Sequence, residues 1–162
     1  ACPDYLAIIG GDPEGEDEKI SDEMQRLQAL CGELGLDEMV LFLGKRGQNT
    51  LPYYYSAAEV VVMPSFYESF GMVALEAMAC GTPVIASRVG GLAFLIKEGE
   101  TGYTVPAQDP EALAEKLRLL FVDHDLRAQF GQAAANYAKN FSWELISQKI
   151  LQVYHELVGQ SK

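Results

Sequence analysis

Residues 64–84 read PSFYESFGMVALEAMACGTPV, and we expect the rest of the chain to be arranged around them. The apolar run at residues 60–63 predicts a buried strand that ends at Pro64. Residues 69–80 suit a helix, with Gly81 at the position of a left-handed C-terminal cap. The stretch therefore predicts a strand, a tight loop and a helix whose first turn faces the carboxyl edge of a sheet.

The predicted helix is apolar nearly all round but carries one carboxylate, Glu76. A helix that is apolar on every face is normally buried, and a buried carboxylate needs hydrogen-bond donors. Two kinds of donor are open at this point. One is a backbone amide or a lysine of the protein, and the other is a pair of hydroxyl groups on a ligand.

The start of this helix has the features of an anion-binding site. The backbone amides of Ser69, Phe70, Gly71 and Met72 should be free and should point outward with the positive end of the helix dipole. This arrangement suits a phosphate group. Gly71 has no side chain to block a close approach.

A second carboxylate, Glu68, lies just outside the helix start, eight residues before Glu76. At a rise of ~1.5 Å per residue the two positions are roughly 12 Å apart, with the amides between them. A nucleoside diphosphate sugar has a similar length from ribose to hexose. One carboxylate would then hold the ribose hydroxyls, the amides the diphosphate, and the other carboxylate the sugar. The alternative is a merely structural pair of glutamates.

The residues from Glu68 to Glu76, ESFGMVALE, followed by AMACGTPVIAS, resemble the signature of the group 1 glycosyltransferases. These GT-B fold enzymes include sucrose-phosphate synthase, bacterial glycogen synthase and the mycothiol glycosyltransferase. The resemblance covers nearly the whole chain, because it extends to residues 40–44, 54–60, 89–91 and 99–103. It is nearest to the sucrose-phosphate synthase and mycothiol branch, which implies a UDP-linked sugar.

The resemblance implies a fold and a set of roles. The fold is α/β, a Rossmann-like parallel sheet with helices on both faces, which forms the carboxyl-terminal, donor-binding half of the enzyme. Glu76 would bind the ribose hydroxyls, Glu68 would bind the sugar hydroxyls as the catalytic residue, and the amides from Ser69 to Val73 would bind the diphosphate and the sugar. The family transfers a hexose with retention of anomeric configuration, usually without a bound metal or another cofactor.

The chain also departs from the family pattern. By the resemblance, we expect these residues to follow a first strand and helix that carry an arginine and a lysine for the diphosphate, and to follow an amino-terminal acceptor domain. We therefore expect a gap in the sheet, a rearranged sheet or a strand from a partner, and no transferase activity from this piece alone. A noncatalytic scaffold domain and a nucleotide-sugar epimerase or hydrolase of the same fold are the alternatives.

Strands and helices alternate along the chain, and apolar strands in that pattern predict a parallel sheet. The predicted strands are residues 5–9, 39–43, 60–63, 83–86 and a short one within 99–105. A helix is expected from near Ser21 to the residue before Gly35, a short one at residues 51–58, and further helices from Asp109 to the end. The last of these has an apolar stripe that should pack, formed by Trp143, Ile146, Ile150, Val153 and Leu157.

Two loops leave the first strands at the predicted carboxyl edge. Gly10 follows the first strand, and Gly44, Lys45 and Arg46 follow the second. Gly10, Gly44, Lys45 and Arg46 are candidate donor-binding residues. The glycines of the second loop would let the backbone approach a flat ring, and in the resembled family this loop lies beside the nucleotide base. A plain turn is an equally good interpretation of these residues. Lys45, Arg46 and Arg88 are the only basic residues near this edge.

Composition restricts the possible partners. The chain has 162 residues, of which 49% are hydrophobic, and it is expected to form one soluble domain, residues 1–162. A net charge of -11 argues against nucleic acid and anionic membranes as partners. No apolar run approaches the ~20 residues of a membrane span. The cysteines Cys2, Cys31 and Cys80 lack metal spacing and are expected to be reduced thiols in a cytoplasmic protein.

Overall fold

A computed structural model of the chain describes residues 5–10 and 21–159. Its strands are β1 Leu6–Ile9, β2 Val40–Gly44, β3 Val61–Met63, β4 Val84–Ser87 and β5 Gly102–Val105. Its helices are α1 Asp22–Leu34, α2 Leu51–Ala57, α3 Met72–Ala79, α4 Leu92–Leu95, α5 Pro110–Val122, α6 His124–Ala138 and α7 Trp143–Gly159, with a 3-10 turn at Lys139–Phe141. Cys31 and Cys80 are free thiols, and Cys2 lies outside the described residues.

The described strands form two parallel sheets. One has the order β1-β2 and the other the order β3-β4-β5. The parallel α/β architecture is therefore confirmed. The chain divides into two compact units, Ala1–Leu51 and Pro52–Lys162, which are described separately below.

The core of the second unit lies around β4. All four residues of β4 are buried, which is expected of a central parallel strand that is covered on both faces. Ile85 packs in one cluster with Val105, Leu120 and Phe130. Helix α5 begins as predicted, because the carboxylate of Asp109 accepts a hydrogen bond from the amide of Ala112 at 2.9 Å.

The first unit is less buried than the sequence predicts. The apolar character of β1 predicts a buried strand, yet Tyr5 is 57% and Leu6 53% exposed. Helix α1 begins after its cap Ser21 and ends at Gly35 in a left-handed conformation, both as predicted, but none of its residues is buried. The physical reason is that two strands and one helix offer too little surface to cover both faces of a sheet.

Helix α7 contradicts the expectation that its apolar stripe packs. Trp143 is 80% exposed and Leu157 is 59% exposed, and Ile150 and Val153 are also exposed.

Within the described residues, no helix combines the length and the apolar composition that crossing a bilayer requires.

Candidate functional site

The loop between β3 and α3 ends at Gly71, which changes the predicted start of the helix. Gly71 has φ 98°, a left-handed conformation, so the helix begins at Met72 and not at Ser69. A Cβ at Gly71 would also lie 2.6 Å from Cδ2 of Leu92. Backbone conformation and packing therefore both require glycine here. Ser69 and Phe70 belong to the loop.

The carboxylate of Glu68 folds back onto this loop. Its Oε1 accepts hydrogen bonds from the backbone amides of Phe70 at 3.4 Å and Gly71 at 3.2 Å. The expectation that these two amides are free is thus wrong for this state of the molecule. Both bonds are long, which makes them weak and easy to exchange. The amides of Met72 and Val73 come first in the helix, where no intrahelical partner exists.

A loop after β4 holds the Glu68 segment in place. The amide of Gly91 donates to the carbonyl oxygen of Glu68 at 3.0 Å. A Cβ at Gly91 would lie 2.6 Å from the carbonyl oxygens of Ser69 and Phe70, and a Cβ at Gly90 would overlap the carbonyl oxygen of Glu68. These two glycines were not predicted as site residues, although a glycine pair shortly after a strand is a signal in the sequence.

Glu76 lies in the second turn of α3 and is half-buried. Its Oε2 accepts a hydrogen bond from the hydroxyl of Tyr55 at 3.1 Å. Neither protein donor considered from the sequence, an amide or a lysine, is the one observed. The helix is also less buried than expected, because Met72 is 53% and Val73 42% exposed. Among the described residues, no group donates a hydrogen bond to the other oxygen of Glu76, Oε1.

Tyr55 is a suitable partner for that carboxylate. It is 6% exposed, and its carbonyl oxygen accepts a hydrogen bond of 2.6 Å from Oγ1 of Thr82. Burial, and then the negative charge and hydrogen bond of Glu76, raise the pKa of Tyr55 to about 12. The hydroxyl therefore stays protonated, and donates, over the whole range in which the protein would work.

Four predicted site residues lie in the first unit, at the carboxyl edge of its sheet. The amide of Gly10 donates to the carbonyl oxygen of Gly44 at 2.9 Å. Both glycines have positive φ, 119° and 66°. Lys45 is exposed and Arg46 is half-buried. Nη1 of Arg46 donates a hydrogen bond to the carbonyl oxygen of Lys45 at 3.1 Å. The structure thus brings these four together, and their role in binding remains a prediction.

Arg88, the third basic residue expected near the edge, forms hydrogen bonds with a residue of β5. Its Nε donates to Oγ1 of Thr104 at 3.1 Å and its Nη2 to the carbonyl oxygen of the same residue at 3.4 Å. Thr104 in turn donates through its amide and its hydroxyl to Glu98, at 2.7 and 2.8 Å. No three His, Cys, Asp or Glu side chains cluster as a potential metal site within residues 5–10 and 21–159.

Parallel strands that alternate with helices, with a glycine-bearing loop that leads into a helix at the carboxyl edge, define a Rossmann-like α/β protein. The chain belongs to the group 1 glycosyl transferases, because the model of that family matches residues 3–137. The resemblance that the motif in residues 68–76 carries is thereby confirmed.

Similar proteins include the D-inositol 3-phosphate glycosyltransferase of Corynebacterium jeikeium strain K411. It is 44% identical over 136 residues, which are 84% of this chain and 32% of that protein. A second, from Corynebacterium efficiens, is 41% identical over 92% of this chain and 34% of its own length. The chain thus spans about a third of the length of the curated relatives it matches.

Solved structures agree with this assignment. A sucrose-phosphate synthase from Thermosynechococcus elongatus matches with a TM-score of 0.84 and 40% identity, over 96% of this chain and 39% of that chain. HepE from Anabaena in complex with UDP matches with a TM-score of 0.85 and 28% identity, over 94% of this chain and 41% of that chain. A complex of HepE with UDP-glucose matches with a TM-score of 0.81. These neighbours are GT-B glycosyltransferases, of which the chain covers about two fifths.

Proposed function

We propose that this chain is the donor-binding domain of a retaining glycosyltransferase that takes a hexose from a nucleoside diphosphate sugar, with UDP as the nucleotide. The observation that carries the proposal is the half-buried carboxylate of Glu76, held through Oε2 by Tyr55 and without a hydrogen bond at Oε1 from the described residues. The complexes of HepE with UDP and UDP-glucose support the choice of nucleotide and sugar.

Glu76 would accept hydrogen bonds from the two ribose hydroxyls. Hydrogen bonds to an ionised carboxylate are about twice as strong as neutral ones, and a neighbouring pair of hydroxyls matches its two oxygens. The Tyr55 hydroxyl occupies one lone pair of Oε2, and a carboxylate oxygen can accept a second bond. The residue therefore keeps enough acceptor capacity for the ribose.

The diphosphate would bind at the amino end of α3. The amides of Met72 and Val73 lie at the positive end of the helix dipole, and both residues are exposed enough for a ligand to reach them. Such local donors matter because the chain carries a net charge of -11, which repels an anion at long range. The first unit would contribute positive charge through Lys45 and Arg46.

Glu68 would act as the catalytic residue by binding the sugar hydroxyls. Its carboxylate accepts from the amides of Phe70 and Gly71 through two long bonds, so an incoming sugar or phosphate would replace long contacts by shorter and stronger ones. The amides released in this way, together with those of Met72 and Val73, would stabilise the charge that develops on the leaving diphosphate.

The acceptor would be bound by a separate amino-terminal domain, and transfer would require no metal or other cofactor. We further propose that the protein is cytoplasmic, in keeping with the free thiols of Cys31 and Cys80. The 162-residue chain alone would then bind the donor but transfer no sugar. Sugar transfer to any acceptor by the purified chain would contradict this part of the proposal.

Thermal melting tests the donor site. The chain is melted alone and with UDP, ADP, GDP and the glucose conjugate of each. We expect UDP and UDP-glucose to raise the midpoint by several degrees, because a ligand at a hundred times its Kd adds about 2.7 kcal/mol. A cooperative melt that none of the nucleotides shifts would contradict donor binding by this chain, and a shift with ADP or GDP alone would contradict only the choice of base.

The role of Glu68 can be separated from that of the nucleotide site. Glu68→Gln keeps an acceptor oxygen for the loop amides but removes the charge that would hold the sugar. We expect the Kd for UDP to stay within about twofold, while the Kd for UDP-glucose rises about tenfold, as the loss of one charge-assisted hydrogen bond predicts. Titration calorimetry measures both constants.

Glu100→Gln is the matched control, because Glu100 is exposed and precedes the amino end of β5. It should change neither constant. An equal loss for UDP and UDP-glucose in Glu68→Gln would place Glu68 at the nucleotide or in the fold, and would contradict its assignment to the sugar.

A further inference from the structure

Tyr55 is the one buried residue of α2. The helix contains three consecutive tyrosines, and a helix aims such neighbours in different directions. Tyr53 is 76% exposed, whereas Tyr55 is 6% exposed. A buried tyrosine normally packs its ring and finds a partner for its hydroxyl. Here that partner is the carboxylate that we assign to the ribose.

Two separate contacts tie Tyr55 to α3. At the tip of the ring, the hydroxyl donates to Oε2 of Glu76 at 3.1 Å. At the backbone, the carbonyl oxygen accepts from Oγ1 of Thr82 at 2.6 Å, and the amide of Thr82 donates to the carbonyl oxygen of Ala77 at 3.1 Å. Thr82 follows the end of α3 and is 3% exposed. Tyr55 is thus held at its hydroxyl by α3 and at its backbone by the turn that follows α3.

This arrangement limits the freedom of the Glu76 side chain. A free glutamate samples many rotamers, and fixing them on binding costs free energy. A protonated hydroxyl has a single proton to donate, and it directs that proton to Oε2. The carboxylate is therefore oriented before any ligand arrives.

We infer that Tyr55 is a positioning residue for nucleotide recognition, which orients the Glu76 carboxylate so that it receives the two ribose hydroxyls. The inference rests on the proposed function, because it requires that Glu76 binds the ribose. It assigns to Tyr55 no contact with the ligand.

The test compares two ligands that differ only in the ribose. The variant is Tyr55→Phe, which keeps the ring and removes the hydroxyl. The ligands are UDP and 2′,3′-dideoxyuridine diphosphate, which lacks both hydroxyls that Glu76 would bind. We expect the Kd of UDP to rise about tenfold, the order of magnitude that the loss of one hydrogen bond to a charged group predicts. The Kd of the dideoxy nucleotide should not change.

Two controls complete the experiment. Tyr53→Phe removes the hydroxyl of an exposed tyrosine on the same helix and should leave both constants unchanged. In a Glu76→Ala background, Tyr55→Phe should have no further effect on UDP binding, since the group that it positions is absent. Circular dichroism melts of all variants verify that each is folded at the temperature of the titration.

The outcomes separate the two claims. If Tyr55→Phe weakens both nucleotides equally, or weakens neither, the positioning role is overturned while the donor site stands. If the unmodified chain binds UDP no better than the dideoxy nucleotide, Glu76 does not recognise the ribose and the inference falls. If the unmodified chain binds neither nucleotide, the proposed function fails and the inference fails with it.

Discussion

Replacement of Glu76 by alanine should weaken the binding of UDP by about a hundredfold or more. The carboxylate would contribute two hydrogen bonds to ribose hydroxyls, each worth about 1.5 kcal/mol or more because the acceptor is charged. A loss of about 3 kcal/mol corresponds to a factor of more than a hundred in Kd. Titration calorimetry with UDP measures the effect, well below the melting temperature of both proteins.

The substitution also has a cost for the fold, which the experiment must separate from binding. Glu76→Ala leaves the hydroxyl of Tyr55, a residue 6% exposed, without its acceptor. An unsatisfied buried polar group costs about 1–3 kcal/mol, so the variant should melt at a lower temperature without any ligand. Tyr55→Phe combined with Glu76→Ala should recover part of that loss, because it removes the unsatisfied donor.

Glu100→Ala is the matched control, since it removes an exposed carboxylate. It should bind UDP as the unmodified chain does. A Glu76→Ala protein that is folded and binds UDP within about threefold of the unmodified chain would contradict the assignment of Glu76 to the ribose. The ribose contact would then have to come from another residue.

Local signals in the sequence predicted the element boundaries well. Asp109 and Pro110 open α5, and Gly35 ends α1 in a left-handed conformation, as the residue types require. Gly81 has φ 81° directly after the end of α3, again as predicted. Caps depend on a few neighbouring residues, so the information is contained in a short stretch of chain. Two boundaries differ: Gly71 precedes α3, although the sequence predicts it inside the helix, and the short helix α4 is not predicted at all.

Contacts between residues that are distant in the sequence could not be predicted from such local signals. Tyr55 precedes Glu76 by 21 residues, and their hydrogen bond joins two helices that are separated in the sequence. The glycine pair at residues 90–91 is required by backbone atoms of the Glu68 segment, and nothing in the local sequence indicates that contact. The exposure of β1 depends likewise on how many elements cover it. The motif therefore indicates candidate site residues, but not what holds them in place.

Gly91→Ala should both destabilise the second unit and weaken donor binding. Gly91 has φ -64° and ψ -28°, values that alanine adopts readily, so no conformational strain is involved. The obstacle is steric, because a Cβ would lie 2.6 Å from the carbonyl oxygens of Ser69 and Phe70. Those atoms are backbone and cannot rotate away, so the loop that carries Glu68 has to move. We expect a loss of about 3 kcal/mol, the upper part of the usual range for overpacking.

Melting and titration together measure this effect. A loss of about 3 kcal/mol lowers the melting temperature by roughly 10 °C in a chain of this size. Binding of UDP-glucose should fall further than binding of UDP, because Glu68 would contact the sugar. Gly32→Ala is the matched control, since Gly32 lies inside α1 and the nearest atom to its Cβ would be Oδ1 of Asp37 at 3.7 Å. There alanine should be neutral or stabilising by up to about 1 kcal/mol.

The comparison of Gly91→Ala with Gly32→Ala isolates the contact between the loop after β4 and the loop that carries Glu68. The same change, the addition of one methyl group, is expected to lower the free energy of unfolding at Gly91 and to leave it unchanged or raise it at Gly32. A general effect of replacing glycine would therefore be excluded. A Gly91→Ala chain that melts and binds UDP-glucose as the unmodified chain does would mean that the Glu68 segment moves aside without cost. The position of Glu68 would then be set by the ligand, and the hydrogen bond from the amide of Gly91 to its carbonyl oxygen at 3.0 Å would not fix it.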